Sequence, residues 1–247
     1  FQFLTFRSAL AAIMSLFLSF YFGPKIIAIL KKKQIGETIR EDGPQRHMKK
    51  AGTPTMGGLI VMFSVFIPVF LWADLQSIYI ILVSIGTLFL SGVGFVDDYL
   101  KVVKKYPKGL IARYKLMGQI LVGLMVGFTI YYLPEFNGYN TQTTIPFFKN
   151  LNLDLEYLYI PAVVFIIAAT SNAVNLTDGL DGLAIGTTVI VMAALAIISY
   201  VTGHRIYSDY LDIIYLPGSG ELTVFIAALI GAGLGFMWYN FYPAQIF

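Results

Sequence analysis

Seven long apolar segments separated by shorter polar ones dominate the hydropathy pattern of this chain. They run over Ser8–Leu30, Met56–Ala73, Ile78–Val96, Leu116–Leu133, Leu158–Val174, Leu183–Val201 and Leu222–Tyr239. Each has about the 17–25 residues that an α-helix needs to cross a bilayer, and the apolar residues are continuous rather than alternating. Because lipid cannot satisfy exposed backbone groups, the pattern predicts about seven transmembrane helices. At Gly23-Pro24 the first of these helices either kinks or continues beyond the bilayer into water.

The composition agrees with a lipid environment. Hydrophobic residues make up 57% and charged residues 13% of the 247 residues, and the mean hydropathy is +0.73. We therefore predict one all-α transmembrane domain over residues 1–247. No charged n-region precedes the first segment, which favours a retained span over a cleaved signal peptide. Without cysteine, these residues hold no disulfide, thiol nucleophile or Cys-ligated metal.

The basic residues predict how the chain is oriented in the membrane. Runs of Lys and Arg lie between the first and second spans and between the third and fourth, whereas the opposite side has only Arg7, Lys149 and Arg205. The positive-inside rule then places the N-terminus outside and the basic segments in the cytoplasm. Segments 175–182 and 240–247 fall inside. The outer connections 134–157 and 202–221 are hairpins, interfacial segments or simple links between helices.

Two groups of carboxylates and amides end predicted spans on the inner face. Asp97 and Asp98 are adjacent at the end of the third span, where two negative charges are costly unless a cation, a donor or a proton offsets them. They are alternatively a hydrated helix end facing the basic loop. Asn172 and Asn175 share one helix face, and Asp178 and Asp181 repeat that spacing. This second group suits Mg²⁺, a ribose or a base edge, although ordinary cap and turn chemistry also explains it.

Two further segments on the same face carry candidate binding residues. Lys50 and Thr55 precede Gly57-Gly58 and offer a charge and a hydroxyl to a phosphate, or else merely start a helix. The segment Trp238–Phe247 includes Asn240 and Phe247 beside aromatics that are typical of a membrane interface. Because all four groups fall on one face, we expect a shared site for a phosphorylated substrate. His47 and His204 fall on opposite faces, so a His-paired metal is not expected.

The order of these motifs resembles one enzyme family from the first span to the last residue. Thr53–Gly58, Gly94–Tyr99, Asn172–Leu183 and Pro243–Gln245 resemble the bacterial phospho-N-acetylmuramoyl-pentapeptide transferases, of the polyprenyl-phosphate hexose-1-phosphate transferase superfamily. The resemblance implies transfer of phospho-MurNAc-pentapeptide from its UDP carrier to undecaprenyl phosphate, giving lipid I and UMP in peptidoglycan synthesis. It also implies a multi-pass protein of the bacterial cytoplasmic membrane, a homodimer, and Mg²⁺ as cofactor.

The resemblance also implies roles for individual residues. Asp97 and Asp98 resemble the catalytic aspartate pair, and Asn175 resembles an amide near the Mg²⁺ and the diphosphate. The residues that resemble those shaping the nucleoside pocket are Lys50, Thr55, Asn172, Asp178, Gly179, Leu180, Asp181, Asn240 and Phe247. The family fold has ten helices and a further essential aspartate beyond the position of Phe247. We therefore expect this chain, as given, to be C-terminally incomplete and inactive alone.

Alternative functions differ in where they place the carboxylates. A secondary transporter would use Asp97 and Asp98 as ion ligands, but such sites usually lie near the bilayer midplane. An intramembrane aspartyl protease would need its two carboxylates on separate helices. Another polyprenyl-phosphate sugar-1-phosphate transferase is the nearest alternative. For the transferase we favour direct attack of the lipid phosphate on the β-phosphate of the UDP-sugar over a covalent aspartyl intermediate.

Overall fold

The computed structural model describes residues 3–32, 53–106, 109–145 and 152–247. These residues form eight α-helices and one antiparallel hairpin: α1 Leu4–Lys32, α2 Gly58–Trp72, α3 Ile78–Val102, α4 Ala112–Tyr132, β1 Gln142–Thr144, β2 Asn152–Asp154, α5 Tyr159–Thr177, α6 Leu183–Thr202, α7 Arg205–Leu211 and α8 Leu222–Asn240. In the hairpin, Thr143 lies opposite Leu153. Short 3₁₀ turns precede α5 and α8.

The prediction of an all-α membrane protein is confirmed. Within the described ranges, α1, α3, α4, α5, α6 and α8 are long and apolar enough to cross a bilayer. The predicted span Met56–Ala73 is shorter, because α2 has 15 residues and so a length of about 22 Å. Met56 has a φ of 75°, and the Gly57 N–H donates to the Phe247 carbonyl at 2.6 Å, so the backbone turns before α2 begins. α1 continues through Pro24 to Lys32.

α8 is the central helix and is surrounded by α1, α2 and α6. Its small residues let neighbouring backbones approach closely, as is usual between membrane helices. A Cβ added to Gly231 would lie 2.1 Å from the Ala12 carbonyl oxygen. Ser15 is fully buried where α1, α2 and α8 meet, and its Oγ lies 2.6 Å from the Ala228 carbonyl oxygen and 2.7 Å from that of Ser64. These contacts make the four helices one tightly packed unit.

α4 and α5 form a second packed pair, against which α3 lies. A Cβ on Gly123 of α4 would lie 2.7 Å from the Cα of Val164 in α5, so these two helices are also nearly in backbone contact. α3 and α5 touch the first unit only sparsely. This leaves space between the two units at the ends of α3 and α5, and the polar residues singled out by the sequence border that space.

The opposite end of the molecule is held by an ion pair. Arg7 Nη1 donates to Glu221 Oε2 at 2.9 Å and to the Trp72 carbonyl at 3.1 Å, which joins the starts of α1 and α8 to the end of α2. Connection 134–157 contains the β1–β2 hairpin, one of the forms expected for it, and connection 202–221 contains α7. Both connections lie at the end of the helices that is remote from Asp97 and Asp178.

Candidate active site

A cleft of about 480 Å³ opens between the start of α2, the end of α3, the start of α4 and the end of α5. Its polar lining consists of Ser91, Asp97, Asp98, Lys115, Gln119, Ser171, Asn172, Asn175 and Asp178. The apolar lining comes mainly from α2 and α3, including Leu59, Met62 and Leu90. One wall therefore suits an apolar ligand and the other suits a charged one, and the volume is that of a typical small-molecule site.

Asp97 is a buried carboxylate whose charge is already compensated. Its side chain accepts a hydrogen bond from the Leu110 backbone N–H at 2.7 Å and from Lys115 Nζ at 2.6 Å. Lys101, one helical turn further along α3, places its Nζ 2.8 Å from the same carboxylate. The cost of the buried charge, foreseen from the sequence, is thus offset by two cations and a backbone donor. A carboxylate held this way orients its partners and is a weak base.

Asp98, Asn175 and Asp178 line the cleft from two different helices. Asp98 follows Asp97 on α3, Asn175 lies in the last turn of α5, and Asp178 is the residue that caps that helix. Solvent reaches the Asp178 side chain, but nearby protein atoms partly desolvate its carboxyl, and this raises its pKa. The three side chains bring carboxylate and amide oxygens to one place.

Gln119, Ser171 and Asn172 form a hydrogen-bonded group across the α4–α5 interface. Gln119 Nε2 donates to Ser171 Oγ at 3.0 Å, and Asn172 Nδ2 donates to Gln119 Oε1 at 2.9 Å. Asn172 Nδ2 also donates to the Ala168 carbonyl, one turn earlier in α5, at 2.7 Å. Gln119 has only 7% of its surface exposed, so this contact fixes the polar end of α5 against α4.

The turn formed by residues 240–247 makes a second polar group beside the cleft. Asn240 is buried; its Oδ1 accepts from the Gly182 N–H at 3.0 Å, and its Nδ2 donates to the Ile246 carbonyl at 2.9 Å. Asp181 accepts from the Ala244 N–H at 3.4 Å. Asn240 therefore uses both ends of its amide to hold this turn against the loop between α5 and α6.

The N-terminal side of α2 pairs with the same turn. The Phe247 N–H donates to the Pro54 carbonyl at 2.9 Å, and the Phe247 carbonyl accepts from the Gly57 N–H. Thr55 lies between Pro54 and Gly57 in sequence, and its Oγ1 is buried without a hydrogen-bond partner. Burying such a hydroxyl costs free energy unless a ligand or a water molecule forms a hydrogen bond with it. Met56 and Gly58 line the cleft, so this turn and the cleft share the segment 56–58.

The structure thus brings most of the sequence-predicted residues together in two adjoining groups. Asp97, Asp98, Asn172, Asn175 and Asp178 line the cleft. Thr55, Asp181, Asn240 and Phe247 belong to the paired segments beside it. Gly179 and Leu180 are exposed and are not in the cleft lining, and Lys50 lies outside the described residues.

The sequence-based predictions give no site role to four polar residues of the cleft lining, Ser91, Lys115, Gln119 and Ser171. Among these, Lys115 contributes to those predictions only as one of the basic residues between the third and fourth spans. Lys115 and Gln119 are spaced i, i+4 at the start of an apolar helix, so both polar groups project from one face of α4. This i, i+4 spacing is the sequence feature that indicates a polar site on α4, since polar side chains inside a span usually face protein or a polar cavity.

The donor chemistry of the cleft fits Mg²⁺. This ion takes oxygen ligands and is usually held by one or two carboxylates together with substrate phosphates and water. Asp98, Asn175 and Asp178 line the cleft and carry such oxygens, and Asp97 beside them is held by Lys101 and Lys115. Over the described ranges, no group of three or more acidic or His side chains could hold a metal unaided. A site shared with a substrate diphosphate is consistent with both observations.

Comparison with known proteins identifies the family. The model for glycosyl transferase family 4 matches residues 79–247, and signature 1 of phospho-N-acetylmuramoyl-pentapeptide-transferase matches residues 50–61. The enzyme of that name from Citrifermentans bemidjiense is 48% identical over 247 residues, which cover 100% of this chain and 68% of the relative. This chain belongs to the phospho-N-acetylmuramoyl-pentapeptide-transferase family. The resemblance inferred from the four motifs is therefore confirmed.

Other members of the phospho-N-acetylmuramoyl-pentapeptide-transferase family match equally broadly. The Flavobacterium psychrophilum enzyme is 46% identical over 287 aligned residues, with 100% of this chain and 70% of the relative covered. The Thermodesulfovibrio yellowstonii enzyme is 46% identical and is covered over 68% of its length. The matched signature contains Thr55, and the matched family model begins at the second residue of α3 and continues through α8. Every polar residue of the cleft lining thus lies within the matched ranges.

Proposed function

We propose that this protein transfers phospho-MurNAc-pentapeptide from its UDP carrier to undecaprenyl phosphate, giving lipid I and UMP for peptidoglycan synthesis at the bacterial cytoplasmic membrane. The observation that carries the proposal is the single cleft in which Asp98, Lys115, Asn175 and Asp178 meet at the ends of spanning helices. A polyprenyl chain must reach the reaction from lipid and a nucleotide from water. A polar cleft with an apolar wall at the helix ends serves both.

Lys115 is the cation that the cleft offers to a phosphate. Its Nζ carries three donors, of which one is directed at Asp97 Oδ2. Asp97 in turn is held by Lys101 and by the Leu110 N–H. We infer that Asp97 positions Lys115 for the acceptor or the diphosphate, rather than removing a proton.

The acceptor needs little help from a base. A phosphate monoester has a second pKa near 6, so at pH 7 most of it is already the dianion. One acceptor oxygen then forms a bond to the β-phosphorus as the bond from that phosphorus to the bridging oxygen breaks, and UMP leaves with the electron pair. Asp98 faces the cleft and orients the acceptor in this scheme. Mg²⁺, when bound through Asp98, Asn175 and Asp178, would neutralise charge on the diphosphate.

We infer that the nucleoside binds beside the turn formed by residues 240–247. Phe247 provides a ring on which uracil can stack, and the unpaired Thr55 hydroxyl offers a donor or an acceptor. Asn240 acts indirectly, because both ends of its amide already bind the backbone of Gly182 and Ile246. Contacts to the nucleoside from Lys50, Gly179, Leu180 and Asp181 stay predictions, as does the homodimer that the resemblance implies.

The test uses the complete gene product reconstituted in liposomes that contain undecaprenyl phosphate. Labelled UDP-MurNAc-pentapeptide is added with Mg²⁺, and release of UMP and formation of a lipid-linked product are followed together. We expect one UMP for each lipid-linked sugar, and none when the acceptor is omitted. Exchange of labelled UMP into the UDP-sugar without acceptor would instead support a covalent intermediate. Preferential transfer from UDP-N-acetylglucosamine would show a different transferase of the superfamily.

A further inference from the structure

The hydrogen bonds between Gln119, Ser171 and Asn172 have a fixed direction. A backbone carbonyl can only accept, so the atom of Asn172 that lies 2.7 Å from the Ala168 carbonyl oxygen is the amide nitrogen. The same nitrogen lies 2.9 Å from Gln119, whose facing atom must therefore be its carbonyl oxygen. Both N–H groups of Asn172 are used within the protein, and the carbonyl oxygen is the group it can offer to a ligand.

The same hydrogen-bond direction determines whether Ser171 donates or accepts. With its carbonyl turned to Asn172, Gln119 presents its NH₂ to Ser171 Oγ at 3.0 Å. Ser171 accepts this bond, which leaves its own hydroxyl proton to be donated elsewhere, and the residue lines the cleft. Gln119 and the Ala168 carbonyl together hold the N–H groups of Asn172, so that Asn172 presents an acceptor, and Gln119 leaves Ser171 as a donor. Because Gln119 is nearly fully buried and contacts both partners, neither can reverse without breaking a hydrogen bond.

We propose that Gln119 is a positioning residue that, together with the Ala168 carbonyl, holds the hydrogen-bond polarity of this wall, so that Asn172 accepts a hydrogen bond from the nucleotide and Ser171 donates one. The proposal rests on the function proposed above and specifies which part of the substrate Asn172 recognises. Ionised phosphate oxygens carry no proton and cannot bind an acceptor. The partner that we assign to Asn172 is a donor on the nucleoside, either uracil N3–H or the ribose 2′-hydroxyl. Mg²⁺, which an amide carbonyl can also bind, would instead leave both analogues described below with unchanged affinity.

The experiment measures dissociation constants by calorimetry for the complete protein in nanodiscs. The ligands are UDP-MurNAc-pentapeptide, its N3-methyluracil analogue and its 2′-deoxy analogue, which lack one candidate donor each. With the unaltered protein we expect one of the two analogues to bind about 10-fold more weakly, since the carbonyl of Asn172 is then left unpaired. That analogue identifies the donor.

Two substitutions separate polarity from packing. Gln119→Met keeps the length of the side chain but removes one of the two acceptors that hold the Asn172 amide, so Asn172 can rotate away from the ligand and the 10-fold discrimination should fall below about 3-fold. Gln119→Glu keeps an acceptor for Asn172 in either protonation state, so discrimination should persist even if overall affinity drops. Gln76→Met, at an exposed position between α2 and α3 remote from the cleft, is the matched control and should bind all three ligands as the unaltered protein does.

Several results would overturn the inference. Equal affinity of the unaltered protein for all three ligands would show that Asn172 accepts no hydrogen bond from uracil N3–H or the ribose 2′-hydroxyl. An unchanged ratio in Gln119→Met, with its melting temperature preserved, would show that the Ala168 carbonyl alone holds Asn172 and that Gln119 is not a positioning residue. A uniform loss across all ligands would mean a purely structural role. If the unaltered protein bound no UDP-sugar at all, the proposed function would fail as well, which distinguishes the two failures.

Discussion

Asp97 and Asp98 are neighbours in sequence but occupy different environments. Asp97 is 6% exposed and is held by Lys101, Lys115 and the Leu110 N–H, whereas Asp98 is half-buried and lines the cleft. The sequence predicts that the pair needs a compensating charge, and local sequence offers Lys101. The sequence cannot show that Lys115, on another helix, forms an ion pair with Asp97, because that contact depends on how α4 packs beside α3.

Replacing each aspartate by asparagine should separate these roles. Asp97→Asn leaves Lys101 and Lys115 without their buried carboxylate and should lower the free energy of unfolding by about 2 kcal/mol. Asp98→Asn should change stability less, yet lower transferase activity by roughly 100-fold because it removes a cleft carboxylate. Thermal unfolding in detergent and lipid-linked product formation are the two measurements. Equal loss of stability in both variants would contradict this division.

Asp178 should make stability depend on pH in a defined direction. Partial desolvation raises its pKa, so the fold favours the protonated carboxyl. The protonated Asp178 carboxyl contributes to the free energy of unfolding, and this contribution is fully present below the ordinary carboxyl pKa of about 4. It is lost as the pH rises through the raised pKa of Asp178. Asp178→Asn should therefore be more stable than the unaltered protein at pH 7, while losing activity, and the difference in stability should vanish near pH 4. Asp209→Asn, at an exposed position of α7 remote from the cleft, serves as the control.

Helix partners are decided by small residues that the hydropathy pattern does not reveal. The apolar segments predicted where helices lie, and their positions hold to within a few residues for most of them. What the pattern could not give is that α8 is central or that α4 pairs with α5, because every segment is similarly apolar. Gly231 and Gly123 mark those contacts only once the facing backbones of Ala12 and Val164 are known.

Gly231→Ala should weaken the packing of α8 against α1. The added methyl would lie 2.1 Å from the Ala12 carbonyl oxygen, and backbone cannot move aside as a side chain can. We expect a loss of about 1–3 kcal/mol, the usual cost of overpacking, seen as a lower melting temperature in micelles. Gly186→Ala in α6 is the matched control, since a Cβ there meets nothing within 4 Å. A control that melts as early as Gly231→Ala would count against the packing argument.

The arrangement of the whole molecule explains why residues far apart in sequence share one cleft. The ends of α3 and α5 and the starts of α2 and α4 lie together, as alternating spans require, so Asp98 and Asp178 line the same space. The sequence could predict this convergence from charge and span order alone. It could not predict that Gly179 and Leu180 lie outside the lining while Lys115 and Gln119 lie within it. Those placements depend on helix rotation, which hydropathy leaves undetermined.

Orientation in the membrane gives a final prediction, because the two ends of the molecule differ in charge and in exposed residues. These 247 residues contain no cysteine, so a single introduced cysteine reports its own position once any cysteine outside them has been replaced. Tyr106, 59% exposed after α3, and Tyr210, 85% exposed in α7, lie at opposite ends. With the basic segments inside, Tyr210→Cys should react with a membrane-impermeant maleimide in intact spheroplasts, and Tyr106→Cys only after lysis. The reverse pattern would place the cleft on the outer face, away from any cytoplasmic nucleotide, and the proposed reaction would lose its donor substrate.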